Sequence, residues 1–125
     1  MARILVLDDD PAISHLYARW LGDQHEVLVQ NDSGAALAAI EAGQRFDAIV
    51  CDVHMPGVSG FQVHAAIARV DADQARRMVF VTAGPVRVAP LPGTTPSNPL
   101  LFKPFPIEEL RSIVDGFAAG PATSA

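Results

Sequence analysis

Lysine is nearly missing from this chain of 125 residues: Lys103 stands alone beside eight arginines. A chain that otherwise uses arginine has one compact, flexible cation, and its position is a feature to explain. Cysteine is as scarce. A single Cys51 excludes an internal disulfide framework and a cysteine-based zinc site. Positive charge is short overall, with nine basic residues against fourteen acidic ones and a net charge of -5. A domain of that sign is a poor ligand for a phosphate backbone, so no nucleic-acid partner is expected. No apolar run approaches the roughly 18 residues that span a bilayer, so no membrane partner is expected either. The start, Met1-Ala2-Arg3-Ile4, runs straight into an apolar segment without signal-peptide organisation. What is present is half apolar and 18% charged, which favours a packed core over disorder. The expectation is one soluble, cytoplasmic domain over residues 1–119 with a flexible tail, 120–125.

Along the chain, short branched apolar runs alternate with helical patterns. Residues 3–8, RILVLD, read as a strand buried on both faces. Asp10-Pro11 reads as an N-cap followed by proline at the first helical position. Ile13, Leu16, Tyr17, Trp20 and Leu21 then recur at helical spacing up to Gly22. Val27 to Val29 mark a second strand, and residues 33–42 an alanine-rich helix capped by Asp32 or Ser33 and stopped by Gly43. DAIVCD (47–52) repeats the first pattern, followed by a turn at 55–60 and a helix over 61–70. Residues 78–82 and 99–102 give a fourth and a fifth strand. The last helix opens at Pro106, with Leu110, Ile113, Val114 and Phe117 on one stripe. Strand–helix alternation implies an α/β fold: a doubly wound, five-stranded parallel sheet in the order 2-1-3-4-5. Residues 83–99 break the pattern. Five prolines there exclude a helix of ordinary length, because each interior proline costs about 3 kcal/mol. A fourth helix is therefore expected to be missing or degenerate, replaced by a loop crossover.

Ligands of open α/β sheets bind at the carboxyl ends of the strands, near the point where strand order reverses. Four predicted strands end in capable groups: Asp8-Asp9-Asp10, Asp52, Thr82 and Lys103. The acids of the first and third strands face each other across the crevice. At ~4 Å and an effective dielectric near 20, each like-charged pair costs about 4 kcal/mol. A hard divalent cation with oxygen ligands, Mg²⁺, is the natural compensation. Three acids, a metal, a lysine and a hydroxyl together read as a phosphoryl-transfer site. Taken singly, each has a plainer reading. Asp10 is a helix cap, Asp52 a turn acid, Lys103 a snorkelling surface lysine, and Cys51, Tyr17 and Trp20 core residues.

The motifs ILVLDDDP, DAIVCDVHMPGVSG, VFVTA and LLFKPF, in that order and spacing, resemble the receiver domain of two-component response regulators over nearly the whole chain. The resemblance implies roles. Asp52 matches the phosphoacceptor. Asp9 matches a direct Mg²⁺ ligand, Asp8 an acid acting through water, and the main-chain carbonyl of His54 a further ligand. Thr82 and Lys103 match the groups that bind the phosphoryl oxygens, and the Lys103–Pro104 bond is expected to be cis. The implied partner is a histidine kinase or a histidine phosphotransfer protein, together with a downstream protein target. The implied function is a signalling switch that catalyses only its own phosphorylation and dephosphorylation.

Two features depart from the family pattern. Leu100 stands where receivers commonly carry an aromatic, and the proline-rich 83–99 replaces a helix at the face where many receivers dimerise or dock. Both leave open a phosphorylation-independent interaction module with the same fold. An aspartate-nucleophile phosphohydrolase using Asp8 and Asp10 fits less well, for want of a cap domain. The chain resembles a stand-alone regulator or a receiver of the kind attached to hybrid kinases.

Overall fold

The computed structural model describes residues 2–83 and 98–119. Its elements are β1 (Arg3–Leu7), α1 (Pro11–Leu21), β2 (Glu26–Gln30), α2 (Ser33–Glu41), β3 (Ala48–Asp52), β4 (His54–Met55), β5 (Val58–Ser59), α3 (Gly60–Val70), α4 (Ala72–Arg76), β6 (Met78–Thr82), β7 (Leu100–Phe102) and α5 (Ile107–Ala119). Five strands form one parallel sheet in the order β2-β1-β3-β6-β7. This is the expected 2-1-3-4-5 order, with β6 and β7 as fourth and fifth strands. The segment 84–97, which holds most of the expected loop crossover, and the tail 120–125 lie outside the described residues.

The strands read as unbroken apolar runs because helices cover both faces. Alternate residues go to opposite layers. Leu5, Leu7, Ile49, Cys51, Met78 and Phe80 pack with Ala36 and Ile40 of α2, Val63 and Ile67 of α3 and Ala75 of α4. Ile4, Val6, Val50, Val79, Val81 and Leu101 pack with Tyr17 and Leu21 of α1 and with Leu110 and Val114 of α5. Each fully buried aliphatic side chain contributes about 1.5–3 kcal/mol. Cys51 is one of these core residues, and burial pushes its thiol far up, so it is inert rather than redox-active.

Helix starts follow local capping chemistry. Asp10 accepts from Ala12 N–H at 3.0 Å with Pro11 at the first helical position, and Asp32, not Ser33, caps α2 by accepting from Gly34 N–H at 3.0 Å. Ser59 and Gln62 form a reciprocal capping box at α3. Three details depart from the sequence reading. Leu16 is exposed, while Ser14 takes the buried position on α1. The Ser14 hydroxyl is satisfied there, donating to Pro11 C=O at 3.1 Å and accepting from Asn31 Nδ2 at 3.0 Å. The turn at 55–60 is a small antiparallel hairpin, β4–β5, closed by Pro56-Gly57 with Gly57 at φ 77°, the proline-then-glycine pattern of a type II turn. A five-residue helix, α4, follows α3, its N-cap Asp71 accepting from Asp73 and Gln74 N–H. Among the described residues no helix is long and apolar enough to cross a membrane.

Candidate functional site

Parallel register sets the site. Leu7 pairs with Cys51, Asp52 with Val81, and Thr82 with Phe102. Asp8, Asp52, Thr82 and Lys103 therefore step along one edge of the sheet, at the carboxyl ends of β1, β3, β6 and β7. Backbone bonds hold the steps in line: Val53 N–H donates to Val81 C=O at 3.0 Å and Lys103 N–H to Thr82 C=O at 2.7 Å. Lys103–Pro104 is cis.

Carboxylate oxygens of Asp8, Asp9 and Asp52 all lie within 4.8 Å of one another. Asp8 is buried, Asp52 half-buried and Asp9 exposed. Asp8 Oδ1 accepts from Asp10 N–H at 2.9 Å, whereas its buried Oδ2 has no hydrogen-bond partner. A buried carboxylate oxygen without a donor is costly, and two like charges beside it add to that cost. The Asp8 carboxyl is accordingly pushed up to about 6, chiefly by burial, with Asp52 and Asp9 raising it further and Asp10 N–H and Lys103 opposing. Asp52 is also raised, again first by burial, against Lys103 and the His54 N–H, which donates to Asp52 Oδ1 at 3.2 Å. The donor set is all oxygen, with one unpartnered buried atom among three acids, which fits a hard dication. These acids form a cluster able to hold a metal ion.

Lys103 is half-buried, and Thr82, which ends β6, is buried. His54 is half-buried and opens β4, its main chain tied to Asp52 by the bond above. The structure thus gathers Asp8, Asp9, Asp52, His54, Thr82 and Lys103 at the carboxyl edge of the sheet.

Three further residues build the site without a part in it that the sequence alone assigns. Asn31, just after β2, donates from Nδ2 to Asp8 C=O at 2.7 Å and to Ser14 Oγ, bracing the first acid from behind. Nothing local marks that asparagine, because its partners are 23 and 17 residues away. Tyr17 has its ring centroid 5.9 Å from Lys103 Nζ. Gly60 opens α3 against the end of β3, donating to Val53 C=O at 2.8 Å. A Cβ there would sit 2.5 Å from Asp52 O and 3.1 Å from Val53 Cα, both main chain. Gly60→Ala is therefore expected to lower stability by about 1–3 kcal/mol, the usual range for overpacking. It should also displace Asp52. A denaturation midpoint equal to that of the wild type would contradict the close approach.

The family model for the response regulator receiver domain matches residues 4–115. The transcriptional regulatory protein TcrA of Mycobacterium tuberculosis is 37% identical over 111 residues, covering 86% of this chain and 42% of that protein. The two-component response regulator ORR23 of Oryza sativa is 32% identical over 114 residues, covering 89% of this chain and 16% of that protein. The chain spans less than half the length of these curated relatives. Among solved structures, the response regulator TrrA of Thermotoga maritima in complex with Mg²⁺-BeF superposes with a TM-score of 0.78 at 28% identity, covering 94% of this chain and 99% of that one. The sheet order, the acidic edge and the family match agree: this chain belongs to the response regulator receiver domains, the signalling switches of two-component systems.

Proposed function

We propose that Asp52 accepts a phosphoryl group from a phosphohistidine on a histidine kinase or a histidine phosphotransfer protein. The observation that supports this most is the convergence of the Asp8, Asp9 and Asp52 carboxylates at the sheet edge that also holds Lys103, with one Asp8 oxygen buried and unpartnered. Asp9, Asp52 and the His54 main-chain carbonyl would hold Mg²⁺ directly and Asp8 through water. Bound there, the ion supplies charge neutralisation for the incoming phosphoryl oxygens. The solved relative TrrA, whose complex contains Mg²⁺ and BeF, is consistent with that assignment.

The chain's own residues do the rest. An Asp52 oxygen attacks phosphorus, a P–O bond forms, the P–N bond breaks, and the donor imidazole leaves. Half-burial raises the basicity of Asp52 and thus its nucleophilicity, and the Lys103 ammonium opposes that rise. The Lys103 ammonium and the Thr82 hydroxyl bind the phosphoryl oxygens. Hydrolysis later breaks the P–O bond of the acyl phosphate and restores the carboxylate. The domain thus catalyses only its own modification.

Output differs from the common receiver pattern. Leu100 pairs with Phe80 and packs, half-buried, against the α2–α3 layer. The exposed ring on β7 is that of Phe102, 53% accessible. A leucine cannot swing a ring toward or away from Thr82, which keeps the phosphorylation-independent interaction module as the second reading. Incubation with a small-molecule phosphodonor separates the two. We expect one acid-stable, hydroxylamine-labile phosphoryl group per chain with Mg²⁺ and none with a chelator, read by intact mass. No label in Mg²⁺ would leave the second reading.

A further inference from the structure

We propose that the ring of Tyr17 is the seat that positions the Lys103 ammonium over the acidic edge, which makes this α1 residue a positioning residue of the phosphoryl site. The inference rests on the phosphoryl-accepting reading above and goes beyond it, because Tyr17 otherwise counts only as core. Tyr17 is 3% exposed on α1, and two aromatic neighbours immobilise its ring. Trp20 lies at 5.9 Å and 59°, one turn along the helix. Phe105, two residues after Lys103, stacks at 6.3 Å and 16°. Lys103 Nζ lies 5.9 Å from the ring centroid, within the range of a cation–π contact.

The physical need is specific. The Lys103 main chain is held by its bond to Thr82 C=O, but that leaves a four-carbon stem free to sample solvent. Lys103 acts electrostatically on both Asp8 and Asp52, so its ammonium must stay near them. A leucine at this helix position would supply apolar volume but would offer no electrostatic attraction. An aromatic face attracts the cation through its quadrupole and brings no formal negative charge into a pocket already crowded with it. Burial and the nearby acids keep the phenol protonated, so the ring stays neutral. The same Tyr17–Phe105 stack ties α1 to the segment after β7, so the seat and the lysine move together.

The test keeps ring shape and drains the quadrupole. Tyr17→Phe and a trifluorinated phenylalanine at the same position are compared for phosphoryl uptake from a small phosphodonor in Mg²⁺, each alone and combined with Lys103→Met. We expect Tyr17→Phe within about twofold of wild type, and the fluorinated ring roughly five- to tenfold slower, from the strength of a partly desolvated cation–π pair. With Lys103→Met that difference should vanish. Equal rates for the two rings, or a difference that survives Lys103→Met, would overturn the proposal. A large loss in Tyr17→Phe would overturn it too, moving the role to the hydroxyl. A readout without phosphodonor separates this from the parent reading: the Lys103 side-chain methylene resonances should shift between wild type and Tyr17→Leu but not between wild type and Tyr17→Phe. If wild type takes no label, the phosphoryl reading fails while the resonances still decide the seat. Unmoved resonances in Tyr17→Leu would sink the seat even if labelling succeeds.

Discussion

Asp52→Asn is expected to take up no phosphoryl label under conditions that label the wild-type chain. The amide keeps the shape of the carboxylate and can still accept the His54 N–H at Oδ1. It lacks the anionic oxygen that attacks phosphorus, so the step is lost rather than slowed. Neither neighbouring acid is expected to substitute. Asp8 has one oxygen held by Asp10 N–H and the other buried, and its carboxyl is pushed up to about 6, so a protonated fraction persists near neutrality. Asp9 is exposed and lies on β1's side of the crevice, displaced by a strand from β6 and Thr82. Intact mass after phosphodonor treatment in Mg²⁺ checks this. Full label on Asp52→Asn would move the acceptor elsewhere and dismantle the assignment of the edge.

Asp8→Asn is expected to stabilise the metal-free protein at pH 7 and to weaken its hold on Mg²⁺. The folded protein raises the Asp8 carboxyl from an ordinary 3.8 to about 6. Between those values the folded state binds more protons than the unfolded chain. Unfolding then releases protons, and stability falls as pH rises through that window. Below pH 3.8 the carboxyl is protonated in both states and contributes nothing. Above about pH 6 the full penalty is present. That rise corresponds to about 3 kcal/mol, which partial solvation of the acidic edge reduces to about 1–2 kcal/mol. The substituted amide removes one charge from a three-acid cluster. Urea denaturation in chelator at pH 4 and pH 7 checks both points. The variant should gain over wild type only at the higher pH. Saturating Mg²⁺ should stabilise wild type more than the variant, since a ligand that binds the folded state more tightly stabilises it more. An equal midpoint for the two proteins at pH 7 in chelator would show that the buried acid is not strained.

With Leu100 packed against the α2–α3 layer, β7 sets no ring opposite Phe80. The strand's aromatic, Phe102, pairs directly with Thr82 and is already exposed.

The five strands of the main sheet and the start of α1 were legible along the chain. A strand covered on both faces has no polar face to interrupt it, so RILVL, AIVCD and MVFVT stand out as unbroken apolar runs. Caps are equally local, since Asp10 and Asp32 each bond a donor two residues ahead. Because parallel strands carry their terminal polar residues to one edge, Asp8, Asp9, Asp52, Thr82 and Lys103 could be placed together from strand ends alone. Along α1 the helical stripe alone does not decide which side chain is buried. A period of 3.6 residues fits either Ser14 or Leu16 at the margin of the buried face, and the seating of the helix on the sheet buries Ser14, where Asn31 bonds it. The brace of Asn31 on Asp8, the approach of Gly60 to Asp52 and the ring of Tyr17 beneath Lys103 were likewise invisible along the chain. Each joins groups from elements whose separation is set by packing, and an orphaned oxygen on Asp8 exists only once every neighbour has taken its place. The amino-acid order settled which residues reach the edge; the packing of helices on the sheet settled what each of them touches there.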